Sequence, residues 1–296
     1  MNSPFVDLGS RITNWELAKM VFLFPIAVVR ILESLLLWSA AVALIHCDFA
    51  DKRFKFIETS QILKPMLNLF VRHILGFSVD IRGLEHFEAG RAANAVIVYN
   101  HVSFMDQFII SLHSICSFVT IEAYAKVPIF GKIVTFTNTI LLTGRPGCSE
   151  AIVKRAKEPI NAKKQFPLAI APEGCLSNGR ALLKFKTGAF VAMQPISPVI
   201  LRYPYRHFNV AWTIDSPFLT IYRMLCQIYI RAIVEYLPVV DPKMGETPKE
   251  FAERVRSIMA TALDVPKIDL DVQDKIEFGK RWRLSLWRDH LVPLPL

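Results

Sequence analysis

Val96-Ile97-Val98-Tyr99-Asn100-His101-Val102-Ser103-Phe104-Met105-Asp106, VIVYNHVSFMD, begins as an apolar run rich in valine and isoleucine and breaks abruptly into polar residues. A short run of that kind fits a buried strand, and this one ends by delivering a histidine, with an aspartate further on. Residues 168–174, LAIAPEG, repeat the design: an apolar run passes into Glu173 and Gly174, and the bases Arg180, Lys184 and Lys186 come after them. Working outward, short apolar runs at 77–81, 95–99, 118–123, 139–143, 168–171, 199–203 and 232–239 alternate with helix-like segments. That alternation predicts an α/β fold, a mixed and largely covered sheet flanked by helices. Ligands in such sheets gather at the carboxyl ends of the strands, which is where both polar endings fall.

The chain has 296 residues, enough for one large core with an appendage. Its 52% hydrophobic content and mean hydropathy of +0.33 are high beside 21% charged residues, so apolar surplus is concentrated somewhere. A formal charge of +9 favours anionic partners. The bases stand beside apolar residues, and neither an RNP-like nor a zinc-finger pattern occurs, which favours lipid or phosphate and argues against nucleic acid. Cys47, Cys116, Cys148, Cys175 and Cys226 are scattered and form no CxxC pair. They supply neither a disulfide framework nor a metal site, and they suit a reducing compartment.

The surplus sits at Met20–Cys47, MVFLFPIAVVRILESLLLWSAAVALIHC, after Thr13-Asn14-Trp15-Glu16 with the spacing of a capping box. A signal peptide fits poorly, because the run starts late and is too long. The run exceeds the ~20 residues that cross a bilayer, yet it contains Pro25, Arg30 and Glu33. A charge at mid-bilayer costs at least ~2.5 kcal/mol on insertion scales. Two shorter helices, with Arg30 and Glu33 paired at a bend near the headgroups, avoid that penalty, so a re-entrant or monotopic hairpin ranks above a simple span. Lys52, Arg53 and Lys55 favour the cytosolic side for the chain beyond them.

A lone histidine is usually structural, and His46, His73, His86, His113, His207 and His290 are read that way. His101 differs because of its neighbours. Ser103 suits the cap of a helix starting there, which leaves His101 in the strand-to-helix turn and Asp106 in the first helical turns. From a turn, the ring can fold back to the carboxylate. An aspartate on one ring nitrogen fixes the tautomer, leaves the other nitrogen as a base and stabilises the imidazolium. No GxSxG elbow supplies a nucleophile, so a substrate hydroxyl becomes the candidate. A competing reading has Ser103 and Asp106 forming only a reciprocal cap. One histidine and one aspartate fall short of a metal ligand set.

In the second stretch Glu173-Gly174 offers a carboxylate and close backbone approach, and Arg180, Lys184 and Lys186 add positive charge for an anionic ligand; an ordinary solvated loop is the alternative. Arg145, in ILLTGRPG, is suited to grip a phosphate or is a plain turn arginine. Cys175 lacks an activating partner and is read as a small polar wall residue.

Together these residues resemble the glycerolipid acyltransferase family, whose first motif is a histidine, four residues and an aspartate, as in Asn100-His101 through Asp106. Pro128-Ile129-Phe130-Gly131 looks like its PxxG-type segment, Arg145 falls where its second block has an arginine, Pro172-Glu173-Gly174 matches the third block, and Pro195-Ile196-Ser197-Pro198-Val199 resembles the fourth. Within the family EGCLSN, FKTGAF and QPISPVILRYP are most similar to lysophosphatidylcholine acyltransferases, and the resemblance covers nearly the whole chain. Two departures stand out. Cys175 replaces the usual threonine, and no EF-hand loop comes after Val265, so calcium control by that route is not expected.

The resemblance implies acyl transfer from acyl-CoA, as co-substrate with no other cofactor, to the free hydroxyl of a lysophospholipid at a bilayer. His101 would be the general base and Asp106 its orienting acid. Arg145, Glu173 and Gly174 would position the acceptor's phosphate and glycerol, with Asn100, Ser103, Cys175 and Asn178 also substrate-binding. Arg180, Lys184 and Lys186 would meet CoA phosphates, and backbone donors near the motif would hold the oxyanion. The implied layout is a membrane anchor at 1–56, a catalytic domain at 57–265 and a basic aromatic tail at 266–296 that is either interfacial or a disordered end. The implied location is the endoplasmic reticulum membrane, catalytic side to the cytosol. Rival readings are acylation of glycerol 3-phosphate or lysophosphatidic acid, and a non-catalytic membrane adaptor that keeps the fold.

Overall fold

All seven expected apolar runs form strands: β1 Phe77–Arg82, β2 Val96–Tyr99, β3 Ser117–Ile121, β4 Ile140–Leu142, β5 Leu168–Ile170, β6 Ile196–Arg202 and β7 Ile230–Tyr236. The computed structural model describes residues 3–6, 12–51, 56–127, 130–142, 148–158, 166–205, 208–213 and 216–286. The strands make one sheet in the order β1-β7-β6-β2-β5-β3-β4. Pairing is parallel except between β6 and β7, so the sheet is mixed, as expected. β6 starts three residues ahead of its expected run, at Ile196, with Pro198 inside it. The proline lacks an N–H, but its carbonyl still accepts from the Leu237 N–H at 2.9 Å, so the strand survives.

The helices, in chain order, are α1 Asn14–Phe22, α2 Phe24–Asp51, α3 Phe56–Asn68, α4 Leu84–Ala92, α5 Asp106–Ile110, α6 Phe130–Phe136, α7 Cys148–Lys157, α8 Pro217–Leu225, α9 Pro248–Leu263 and α10 Val272–Leu286. A π-helical stretch, Leu69–Ile74, continues α3. β2 is buried at every position and feeds both faces of the sheet. Ile97 and Tyr99 join a core with Ile109, Met224 and residues of α1 and α2, whereas Val96 and Val98 join one with Ile152, Phe251 and Val255. Burial on both faces is what makes the run continuously apolar.

The apolar N-terminal region departs from expectation in its details. α2 runs unbroken through Arg30 and Glu33, and the interruption falls earlier, at Leu23; Pro25 has no N–H to give the preceding turn. Arg30 does not depend on Glu33: its Nη1 donates to the carbonyls of Leu225, at 2.8 Å, and Gln227, which satisfies the guanidinium against the protein. Thr13 caps α1 by accepting from the Glu16 N–H, but the Glu16 carboxylate does not return to close the box. It pairs with Arg223 of α8 at 2.8 Å, both side chains buried, because a buried carboxylate gains more from a guanidinium than from one amide. Lys52, Arg53 and Lys55 lie outside the described residues.

The stretch expected to be a separate tail is bonded to the core. Leu182 donates to Pro266, Ile268 to Leu182 and Lys184 to Leu270 through main-chain groups. The tail beyond Leu286 lies outside the described residues.

Candidate active site

β5, β2 and β6 are adjacent and parallel, so their carboxyl ends converge. β2 ends in Asn100-His101, β5 leads to Glu173 and β6 leads to Tyr203. The His101 Nδ1 lies 2.8 Å from Oδ2 of Asp106. Because a carboxylate only accepts, Nδ1 is the donor, and in the neutral ring that leaves the lone pair on Nε2. The His101 side chain is 19% exposed, whereas Asp106 is sealed from solvent.

A buried carboxylate is costly unless its oxygens are filled by donors. Oδ2 of Asp106 also accepts from the N–H groups of Val102, at 2.7 Å, and Ser103, at 3.0 Å, and Oδ1 accepts from the Tyr203 hydroxyl. The competing cap reading is thus part of the same geometry: one carboxylate folds the turn and holds the imidazole. Ser103 is placed differently from expectation. The helix begins at Asp106, with no side-chain cap at Met105, and the buried Ser103 hydroxyl accepts from the Met105 N–H at 3.2 Å.

Three residues read as substrate-binding turn instead to the backbone. Asn100 is buried and exchanges two hydrogen bonds with Leu201, Nδ2 to the carbonyl at 3.0 Å and Oδ1 from the N–H at 2.7 Å, so its amide prolongs the β2–β6 ladder by one rung. Glu173 is buried; Oε1 accepts from the His101 N–H at 2.8 Å and Oε2 from the Leu183 N–H at 3.0 Å. Burial pushes its carboxyl up to about 8 against the pull of those two donors. Asn178 is buried too, its amide donating to the carbonyls of Ser3 and Val6. The physical reason is common to all three: a polar side chain in a covered sheet-edge loop must satisfy main-chain groups that no ladder reaches.

Residues 78–202 match the acyltransferase family profile. The chain is 36% identical over 187 residues to a lysophospholipid acyltransferase, LPEAT1, of Arabidopsis thaliana, across 60% of this chain and 47% of that protein. It is 29% identical over 313 residues to the lysophosphatidylcholine acyltransferase of Drosophila melanogaster, across 99% of this chain and 57% of that one. The chain therefore spans about half the length of these curated relatives. Its fold is similar to the crystal structure of the 1-acyl-sn-glycerophosphate acyltransferase PlsC from Thermotoga maritima, with a TM-score of 0.62 at 15% identity, covering 83% of this chain and 96% of that one.

Residues 78–202 carry an acyltransferase-family domain.

Within that domain Gly174 adopts φ +69°, the left-handed region, and an added Cβ would strike the Lys186 side chain at 2.9 Å. What approaches Gly174 closely is the Lys186 stem, which packs across it. Cys175 is half-buried, and burial pushes its thiol up to about 11, so it stays protonated near neutral pH. Arg180, Lys184 and Lys186 are exposed along the next turn of chain. Arg145 lies outside the described residues, as do Pro128 and Ile129; Gly131 is described, and a Cβ there would meet the Ala125 carbonyl oxygen at 2.1 Å.

The main-chain donors nearest the dyad are already engaged. The N–H of His101 serves Glu173, and those of Val102 and Ser103 serve Asp106, so these three do not meet an oxyanion in this arrangement. Tyr203 is the residue that sequence reasoning missed. Its only signal was a polar-tipped aromatic at the end of the expected 199–203 strand.

Beside the dyad lies an apolar groove that opens to the surface. Its wall starts with Gln107 and Phe108, directly after Asp106, and continues through Trp38 and Ala41 of α2, Leu67 and Phe70, Phe118 and Thr120 of β3, and Phe136. The Tyr99 ring contacts both His101 and Phe118, with centroids 5.9 and 6.2 Å away, which links groove and dyad.

Proposed function

We propose that the protein transfers an acyl group from acyl-CoA to the free hydroxyl of a lysophospholipid. The observation that carries this reading is the His101–Asp106 pair at 2.8 Å, partly open on the histidine side, next to an apolar groove. Nε2 of His101 takes the proton of the acceptor hydroxyl as its oxygen attacks the thioester carbonyl. The C–S bond then breaks, the ester forms, and the imidazolium returns its proton to the leaving CoA thiolate. Asp106 holds the ring and offsets the transient charge. The groove receives an acyl chain, and Arg180, Lys184 and Lys186 offer positive charge to CoA phosphates. The similarity to lysophosphatidylcholine and lysophospholipid acyltransferases supports a lysophospholipid as acceptor.

The same reading places the protein on a membrane through α2. Phe24–His46 has mean hydropathy 2.0 and is only 11% buried, and at ~1.5 Å per residue it is long enough to cross. Attachment to one side of the bilayer fits better than a crossing. Ser3–Val6, before α2, is bonded to Asn178, far beyond it, and α3 with its continuation carries Glu58, Lys64, Arg72 and His73, too polar to cross back. A catalytic side facing the cytosol at the endoplasmic reticulum suits the cysteine usage and the acyl-CoA donor.

The test is acyl-CoA turnover, monitored by thiol release, over a panel of lysophospholipids with glycerol 3-phosphate and lysophosphatidic acid included. Lysophospholipid acylation by the native protein is expected, with kcat lowered at least ~10³-fold in His101→Ala and about as much in Asp106→Asn. Preference for glycerol 3-phosphate or lysophosphatidic acid would replace the acceptor assignment, and lipid binding without thiol release would mean a non-catalytic adaptor.

A further inference from the structure

The peptide carrying His101 is held from both sides by the loop after β5: its N–H donates to Oε1 of Glu173 at 2.8 Å, and its carbonyl accepts from the Ser177 N–H at 2.9 Å. The next carbonyl, that of Val102, accepts from the Trp212 N–H at 3.1 Å. Thus Ser177 and Trp212 clasp the catalytic turn, and neither belongs to a helix or strand that would fix it. What fixes them stands one residue further along each segment.

Asn178 and Thr213 are bonded to a stretch that lies ahead of α1. Nδ2 of Asn178 donates to the carbonyls of Ser3, at 3.1 Å, and Val6, at 3.0 Å; its N–H donates to Pro4 at 2.9 Å; and the Thr213 hydroxyl donates to Phe5 at 2.7 Å. All four successive carbonyls of Ser3–Val6 are therefore taken by the two residues adjoining the clasp points. The Phe5 side chain, 1% exposed, packs on Phe278 with ring centroids 6.1 Å apart. Asn178 itself is 4% exposed, and without this stretch its amide would lose both of its acceptors, leaving the loop free to rearrange.

We propose that Ser3–Val6 is a positioning element of the active site, a strap whose main-chain carbonyls hold Asn178 and Thr213 and thereby fix the two groups that clasp the His101–Val102 turn. The strap touches neither the dyad nor the groove. It acts on how His101 is aimed and not on how substrates bind, and displacements of about 1 Å at a reacting group are enough to cost ~10²-fold in rate. The inference rests on His101 being the base of the proposed acyl transfer.

The experiment is a double-mutant cycle on the full chain in detergent or vesicles. Residues 1–7 are replaced by a single Met, which removes the four carbonyls along with Phe5, alone and together with Asn178→Asp, which removes the two amide donors but keeps the acceptor oxygen. Each single change is expected to lower kcat by roughly 10- to 100-fold with KM for acyl-CoA within about 3-fold, and the pair is expected to be little worse than either alone, because both break one contact. A synthetic peptide spanning residues 2–7, added in trans, should restore much of the lost kcat in the shortened chain and none in Asn178→Asp. Should the shortened chain fail to fold by thermal unfolding, Phe5→Ala takes its place in the cycle. Losses that multiply, or a shortened chain with native kcat, overturn the proposal. An inactive native protein would instead refute the acyltransferase reading, so the two failures are distinguishable.

Discussion

Asp106 and Glu173 are both carboxylates buried at the carboxyl edge of the sheet, and their surroundings set them different tasks. Asp106 collects donors on both oxygens, one of them the Tyr203 hydroxyl. Removing that hydroxyl in Tyr203→Phe leaves one carboxylate oxygen without its donor, so kcat should fall about 10-fold with KM unchanged, read from steady-state kinetics. An unchanged kcat would show that the tyrosine does not position the pair. Glu173 braces main chain, and burial raises it from its ordinary 4.5 to about 8. The folded protein therefore holds a proton there that the unfolded chain has released. Its contribution to stability is complete below the ordinary value and declines as pH rises through about 8. Melting temperature should accordingly fall across that window, and Glu173→Gln should flatten the fall while costing about 1–3 kcal/mol, since the amide nitrogen must face a backbone N–H. His101 and Asp106 were legible because eleven consecutive residues carry the strand, the turn and the acid. Tyr203 was not, because its role exists only where β6 pairs with β2.

At the level of elements, the sheet could be read from the sequence and the docking of the helices could not. Strands buried on both faces leave continuous apolar runs between breakers, and each was visible. α2 was visible as apolar, but Arg30 looked like an obstacle to membrane contact until Leu225 and Gln227 appeared opposite it. Composition records a charge, whereas only packing shows the carbonyls that accept from it. The groove is likewise a product of assembly: Trp38 of α2, Phe70, Phe108 and Phe118 come from four separate stretches of chain. If it receives the acyl chain, narrowing it with Thr120→Trp should move the preference of acyl-CoA turnover towards shorter chains, leaving kcat on the shortest substrate within about 3-fold. An unaltered chain-length profile would place the acyl chain elsewhere. The buried Glu16–Arg223 pair docks α1 on α8, and Glu16→Ala should destabilise the fold by about 3–5 kcal/mol in chemical denaturation, because it takes the carboxylate out of a buried ion pair.

For the molecule as a whole, the contacts of Ser3–Val6 with Asn178 and Thr213 tie the stretch ahead of α1 to the loops beyond α2, and under the proposed membrane attachment that keeps both on one side of the bilayer. Tags placed ahead of Ser3 and in the exposed turn at Gly245 should be accessible from the same face of sealed vesicles; accessibility from opposite faces would mean that α2 crosses. By itself the sequence determined the α/β class, the seven strands, the apolar helix and the histidine–aspartate pair, because each is written in a short window where local periodicity or adjacency expresses the physics. Only the tertiary structure decided that Asn100, Glu173 and Asn178 brace main chain, that Tyr203 completes the carboxylate's shell, and that residues near position 5 and position 178 share one set of hydrogen bonds. A buried polar group must be satisfied by whichever partner the fold brings within about 3 Å, and no local pattern in the chain names a partner more than a hundred residues away.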